Sequence, residues 1–78
     1  MKINILLFGS LIDATDGIAE FQLKDLNDIN AVKKILLEKY PQLDNYTFRV
    51  ALNQQIVESN QDLNDNDVVA FLPPFAGG

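Results

Sequence analysis

The sequence ends in Gly77-Gly78, and these are the residues best suited to chemistry. Glycine has no Cβ, so both residues can adopt extended or left-handed conformations and enter a slot too narrow for a side chain. Pro73 and Pro74 lie shortly before them. Proline fixes φ and donates no hydrogen bond, so the pair should end strand pairing and stiffen the chain that follows. We expect residues 73–78 to form a projecting tail that carries the Gly78 carboxylate into another protein's active site.

The remaining residue types exclude most other chemistry. Cysteine and histidine are absent, which removes disulfides, thiolate nucleophiles, imidazole bases and the usual zinc ligands. Asp62, Asn64 and Asn66 match the first three ligand positions of an EF-hand calcium loop. Asp67 and Pro73 stand where that loop requires glycine and glutamate, so no metal site is expected. Without a Gly-rich phosphate loop or a Ser-centred nucleophile elbow, the domain is not expected to be an enzyme by itself.

Length and charge narrow the class of protein. Seventy-eight residues make one small domain, with no room for a second. The net charge is −5, from 6 Lys+Arg and 11 Asp+Glu, and the basic residues are scattered, so nucleic acid is not an expected partner. No apolar stretch approaches the roughly 20 residues that span a bilayer, and the amino terminus lacks signal-peptide architecture. A cytoplasmic protein without a membrane partner is therefore expected.

Hydrophobic patterning predicts a β-β-α-β-β-β order in a domain of residues 1–72. The predicted strands are Lys2 to Phe8, Ile18 to Leu23, Phe48 to Leu52, Gln55 to Val57 and Val68 to Leu72. Asn27 or Asp28 is expected to cap the helix, which Pro41 ends. The segment from Gly9 to Gly17 is predicted as a polar loop. Because one helix covers only one face of a sheet, we expect an α+β fold, a mixed sheet with one main helix packed on one face.

Alternation along the strands divides their side chains between the two faces of the sheet. The core face beneath the helix is assigned Ile3, Ile5, Leu7, Val69 and Phe71. The face without a helix is assigned Leu6, Phe8, Ala70 and Leu72, together with Ala51 and Ile56. An exposed apolar patch beside a projecting tail indicates a docking surface. Its predicted partner-contacting residues are Phe8, Ile56, Leu72, Pro73 and Pro74. The alternative is that Phe8 and Leu72 pack beneath the Gly9 to Gly17 loop.

Taken together, the chain resembles the ubiquitin-like β-grasp sulfur carriers and, within them, the small subunits of molybdopterin synthase. The resemblance spans the whole length. Its most specific segments are the closing strand and tail, Asp67 to Gly78, and the strand pair from Val50 to Val57. The Pro73-Pro74 pair distinguishes this branch from carriers that serve thiamin synthesis. The loop from Gly9 to Gly17 lacks the Arg-Glu pair often seen in the family.

The resemblance implies a mechanism centred on Gly78. A ubiquitin-activating-type adenylyltransferase would use ATP to adenylate its carboxylate, which is then converted to a thiocarboxylate, and no cofactor is bound by the carrier itself. Phe75, Ala76 and Gly77 would thread into the partner's site. The partner would be the large catalytic subunit of molybdopterin synthase, in a heterotetramer of two small and two large subunits. Two carriers in turn would give sulfur to a pterin precursor there, and the catalytic residues would lie on the large subunit.

Other function classes remain open from the sequence. A ubiquitin-like protein modifier would use the same Gly78 to form isopeptide bonds with lysines. A carrier could also serve another sulfur pathway, such as thiamin synthesis or tRNA thiolation. In a non-catalytic β-grasp binding module, by contrast, the tail would be inert and removing Gly77-Gly78 would leave function intact.

Overall fold

The computed structural model describes residues 1–74, in which short apolar strands form one sheet and an amphipathic helix lies across it. In chain order the elements are β1 (Lys2–Leu7), α1 (Leu11–Ala14), β2 (Glu20–Lys24), α2 (Ile29–Lys39), a 3₁₀ helix (Pro41–Asn45), β3 (Arg49–Leu52), β4 (Gln55–Val57) and β5 (Val68–Leu72). All five predicted strands and the main helix are present. The ends of β4 and β5 are those predicted, and the ends of β1, β2 and β3 differ from the prediction by at most two residues.

The sheet is mixed, as expected, with the strand order β2-β1-β5-β3-β4. The central strands β1 and β5 run parallel, and Ile5 lies opposite Val69. The other three pairs, β1 with β2, β3 with β5 and β3 with β4, are antiparallel. The first and last strands of the domain therefore lie side by side in the interior of the sheet.

The core lies between α2 and one face of the sheet. The odd-numbered side chains of β1 and β5 enter it, which confirms the assignment from strand alternation. From α2, Ile29, Val32 and Leu36 recur at the helical period and meet them. Full burial of each such side chain stabilises the fold by about 1.5–3 kcal/mol, so this cluster is the main source of stability.

Helix α2 begins at a well-formed cap. Asp28 is extended at φ −154°, and its Oδ1 accepts a hydrogen bond of 2.8 Å from the Ala31 amide. Asn60 supports the cap from a distant segment, since its Oδ1 accepts from the Asn30 amide at 2.8 Å and its Nδ2 donates to Asp28 Oδ2 at 3.1 Å. The helix ends at Lys39, before Pro41. Both predicted limits of this helix are confirmed, with Asp28 as the cap.

The prediction of a polar loop from Gly9 to Gly17 was wrong, because the segment contains α1. This single turn buries Leu11 and Ala14. The buried Thr15 hydroxyl closes it by donating to the Ile18 carbonyl at 2.7 Å, and the carbonyls of Leu11 and Ile12 lie within reach of the same hydroxyl at 3.3 Å and 3.1 Å. One helical turn presents only two apolar positions, too few to show a helical period in the sequence.

The capping contact generates a prediction about stability and its pH dependence. Two hydrogen bonds lower the pKa of Asp28 below its ordinary value of 3.8. The bond from the Ala31 amide has the larger effect, and the bond from the Asn60 side chain has the smaller one. A lowered pKa in the folded state means that ionised Asp28 stabilises the fold above that ordinary value and that this stabilisation is lost as the pH falls. We expect Asp28→Ala to reduce the melting temperature by several degrees at neutral pH.

Circular dichroism melts of the wild-type protein and Asp28→Ala test this expectation. The difference in melting temperature should be largest near neutral pH and should shrink below pH 3.8. Asp28→Asn is the matched control, since its amide oxygen still caps the helix but cannot titrate. A wild-type advantage over Asp28→Ala that grows as the pH falls would contradict this account of the cap.

Candidate functional site

The face of the sheet opposite α2 carries a continuous apolar row. Leu6 on β1 lies opposite Ala70 on β5, Ala70 lies opposite Ala51 on β3, and Ala51 lies opposite Ile56 on β4. Side chains of directly opposed residues share a face and touch or nearly touch. These side chains therefore lie side by side on four neighbouring strands. They come from three separate segments of the chain, since β3 and β4 are joined as one hairpin.

These residues belong to a wider surface that we call the open-face patch. It is a shallow depression of about 570 Å³ lined by Leu6, Phe8, Ala51, Asn53, Gln54, Ile56, Val68, Ala70 and Leu72. Phe8 is 44% exposed and Ile56 is 41% exposed, which is high for large apolar side chains. The alternative in which Phe8 packs beneath the following segment is therefore wrong, while Leu72 is half-buried. The predicted contact of Phe8, Ile56 and Leu72 with a partner remains a prediction.

A polar network fixes one end of the open-face patch. Asn53 and Gln54 form the two-residue turn between β3 and β4, with φ of 50° and 72°, as a type I′ hairpin requires. Asn53 Oδ1 accepts from the Val68 amide at 2.9 Å, and its Nδ2 donates to Asp67 Oδ1 at 3.0 Å. Asp67 Oδ2 also accepts from the Asn64 amide at 2.7 Å. These bonds tie the hairpin to the start of β5 and give Asp67 a structural role.

The guanidinium of Arg49 places a positive charge beside the other end of the open-face patch. Arg49 is opposite Leu72 on the neighbouring strand, so both side chains are on the open face. Its guanidinium is 3.8 Å from the Glu58 carboxylate, and both side chains are largely exposed. Such an exposed pair contributes little to stability. Arg49 was not among the predicted site residues, although its even spacing from Ala51 could have placed it on this face.

The two predicted tail prolines have different surroundings. Pro73 is buried within the domain, whereas Pro74 is exposed. Pro73 lies against Gly9, which has φ +58°, and a Cβ built on Gly9 would be 2.9 Å from Pro73 Cγ. In the sequence Gly9 was recognisable only as the end of a strand.

The other predicted tail residues, Phe75, Ala76, Gly77 and Gly78, lie outside the residues that the structure describes.

Residues 1–74 contain no group of three acidic side chains placed to hold a metal ion. Within the same residues, no helix is both long enough and apolar enough to cross a membrane. Several acids are engaged in local structure instead, since Asp65 Oδ1 accepts from the Lys2 amide at 2.7 Å and Asp25 pairs with the amino terminus at 3.2 Å. Asp65 and Asp25 therefore have structural contacts.

Comparison with known proteins places this architecture in a family. The sequence is 37% identical over 82 residues to the molybdopterin synthase sulfur carrier subunit of Mycobacterium tuberculosis, covering 100% of this chain and 99% of that protein. It is 33% identical over 85 residues to the protein of the same name from Dictyostelium discoideum, covering 99% and 96%.

The fold also matches that of solved structures of such proteins. In the protein-protein complex of subunits 1 and 2 of molybdopterin-converting factor from Helicobacter pylori, one chain matches with a TM-score of 0.76 and 28% identity, over 100% of both chains. The expected β-grasp fold and the resemblance to ubiquitin-like sulfur carriers are thus confirmed. Residues 5–78 match the family model as well, and the chain belongs to the ThiS family.

Proposed function

We propose that this chain is the sulfur carrier subunit of a molybdopterin synthase. The observation that carries the proposal is the full-length similarity, at 37% identity, to a protein of that name. The open-face patch supports it, because a carrier must dock on other proteins while its chain end enters their active sites. The absence of cysteine also supports it, since no persulfide can form on this chain and the sulfur must be held elsewhere.

The proposed sulfur site is the Gly78 carboxylate. A carboxylate is a poor electrophile until one of its oxygens becomes part of a leaving group. An adenylyltransferase partner would supply this by joining a Gly78 oxygen to the α-phosphorus of ATP and releasing pyrophosphate. Sulfur at the oxidation level of hydrosulfide, delivered by the partner, would then attack the carbonyl carbon and expel AMP, which leaves a thiocarboxylate without any reductant. In this proposal ATP is bound by the partner and the carrier holds no cofactor.

The proposed acceptor site lies on the large subunit. The thiocarboxylate sulfur would form a bond to a carbon of the pterin precursor there, as a C–O bond at that carbon breaks and the departing oxygen takes up a proton. Hydrolysis of the resulting thioester would leave the sulfur on the pterin and return the Gly78 carboxylate for another cycle. General acid and base groups would come from the large subunit, because the carrier has no histidine or cysteine. The open-face patch would dock on that subunit, with Phe75, Ala76 and Gly77 threaded into its active site in a heterotetramer of two small and two large subunits.

Deleting Gly78 tests the role of the chain end. We expect the variant to lose sulfur transfer completely, because the reacting carboxylate is displaced by one residue. The last member of the core cluster among the described residues is Phe71, so loss of Gly78 should leave the melting temperature close to that of the wild-type protein. The measurement is molybdopterin formation from carrier, large subunit and pterin precursor. Full activity of the deletion variant would contradict the proposal.

A matched pair of substitutions tests the open-face patch. Ile56 and Ile18 are 41% and 39% exposed, but only Ile56 lines the patch. Ile56→Glu places a charge in the apolar contact, and we expect it to weaken binding to the large subunit by about 2 kcal/mol, roughly 30-fold in Kd. Ile18→Glu makes the same chemical change away from the patch and should leave the Kd within about twofold.

Isothermal titration calorimetry with the purified large subunit provides both Kd values, and circular dichroism verifies that each variant is folded. Equal Kd values for the two folded variants would show that the partner docks elsewhere on the domain.

A further inference from the structure

The contact between Gly9 and Pro73 joins the end of β1 to the residue that follows β5. Pro73 is the last buried residue among those that the structure describes. A Cβ on Gly9 would be 2.9 Å from Pro73 Cγ and 3.5 Å from Pro73 Cδ. The first distance is shorter than van der Waals contact allows, so the proline ring occupies the space that a side chain at position 9 would need.

Neither residue is free to move away from the other. The proline ring is closed on its own backbone nitrogen, so a change of ring pucker shifts Cγ only slightly, and a larger displacement moves the backbone with it. The Phe8 amide donates to the Phe71 carbonyl at 3.1 Å, which joins the two segments immediately before the contact. On the other side, the amides of Leu11 and Ile12 donate to the carbonyls of Phe8 and Gly9 at 3.2 Å and 3.1 Å, and these bonds hold Gly9 in the turn that begins α1.

We propose that Gly9 is a positioning residue for the chemistry at Gly78. Its missing Cβ leaves the space in which Pro73 is held, and Pro73 is the point from which residues 74–78 continue. Five residues reach at most about 18 Å, so a displaced Pro73 shifts the region that the Gly78 carboxylate can reach. A misplacement of 1 Å at a reacting group can cost as much as about 100-fold in rate. This inference rests on the proposed function.

The chain provides a matched control for the conformation of Gly9. Gly17 also has a positive φ, +84°, but a Cβ built there meets no atom within 4 Å. Asparagine tolerates left-handed backbone conformations better than most residues. Gly9→Asn and Gly17→Asn therefore place similar demands on the backbone, and only Gly9→Asn forces Pro73 to move.

The experiment measures ATP–pyrophosphate exchange by the adenylyltransferase from the same cells, with the full-length carrier as its substrate. For Gly9→Asn we expect kcat to fall at least about tenfold. The KM for the carrier should change much less than kcat, because neither Gly9 nor Pro73 lines the open-face patch and Pro73, although it was predicted to contact a partner, is buried. Gly17→Asn should match the wild-type protein in both constants. Circular dichroism establishes a temperature at which every variant is folded, and Gly9→Ala replaces Gly9→Asn if the latter does not fold.

A second substitution separates positioning from a general loss of structure. Pro73→Ala removes the ring atoms that the new side chain meets, so Gly9→Asn combined with Pro73→Ala should have a higher kcat than Gly9→Asn alone. That rescue is a coupling between the two positions, which independent destabilising effects do not produce. Wild-type kcat in folded Gly9→Asn, or no rescue by Pro73→Ala, overturns the positioning role. If the wild-type carrier supports no exchange at all, the proposed function fails and this inference fails with it.

Discussion

The parallel pairing of β1 with β5 is the constraint on which the rest of the structure depends. It places the first and last strands of the domain at the centre of the sheet, with Leu7 opposite Phe71 at the end of the ladder. Odd-numbered side chains of both strands are thereby buried under α2, and even-numbered ones form the middle of the open-face patch. The same register brings Pro73 beside Gly9, so one set of backbone hydrogen bonds positions the core, the docking surface and the start of the tail.

The two faces of the sheet have different roles. The face under α2 contributes the buried cluster that keeps this small domain folded. The open face does not contribute to that cluster, so Phe8 and Ile56 can remain exposed, as the proposed docking surface requires. A chain with no cysteine or histidine has few side chains able to do covalent chemistry at neutral pH. In the proposed mechanism, a reactive group at the chain end would let the partner supply activation, acid and base, while the carrier supplies only delivery.

Much of this arrangement was predictable from the sequence because it follows from repeating patterns. The alternation of Ile3, Ile5 and Leu7 with the residues between them assigned both faces correctly, and the period of α2 identified the main helix. Features that depend on contacts between distant segments were not predictable. The contact of exposed Gly9 with buried Pro73 and the location of Arg49 beside Leu72 both require the strand register, which no local pattern encodes.

The central claim is that sulfur is carried on Gly78, and mass spectrometry of the protein isolated from its own cells tests it most directly. A fraction of the molecules should be heavier by one exchange of oxygen for sulfur. Oxidation of Met1, the only methionine, adds nearly the same mass, so fragmentation must place the change at the last residue. A thiol-selective reagent should label the same peptide. Sulfur that is never found there, with Gly78 joined instead to lysines of other proteins, would contradict the account and identify a protein modifier.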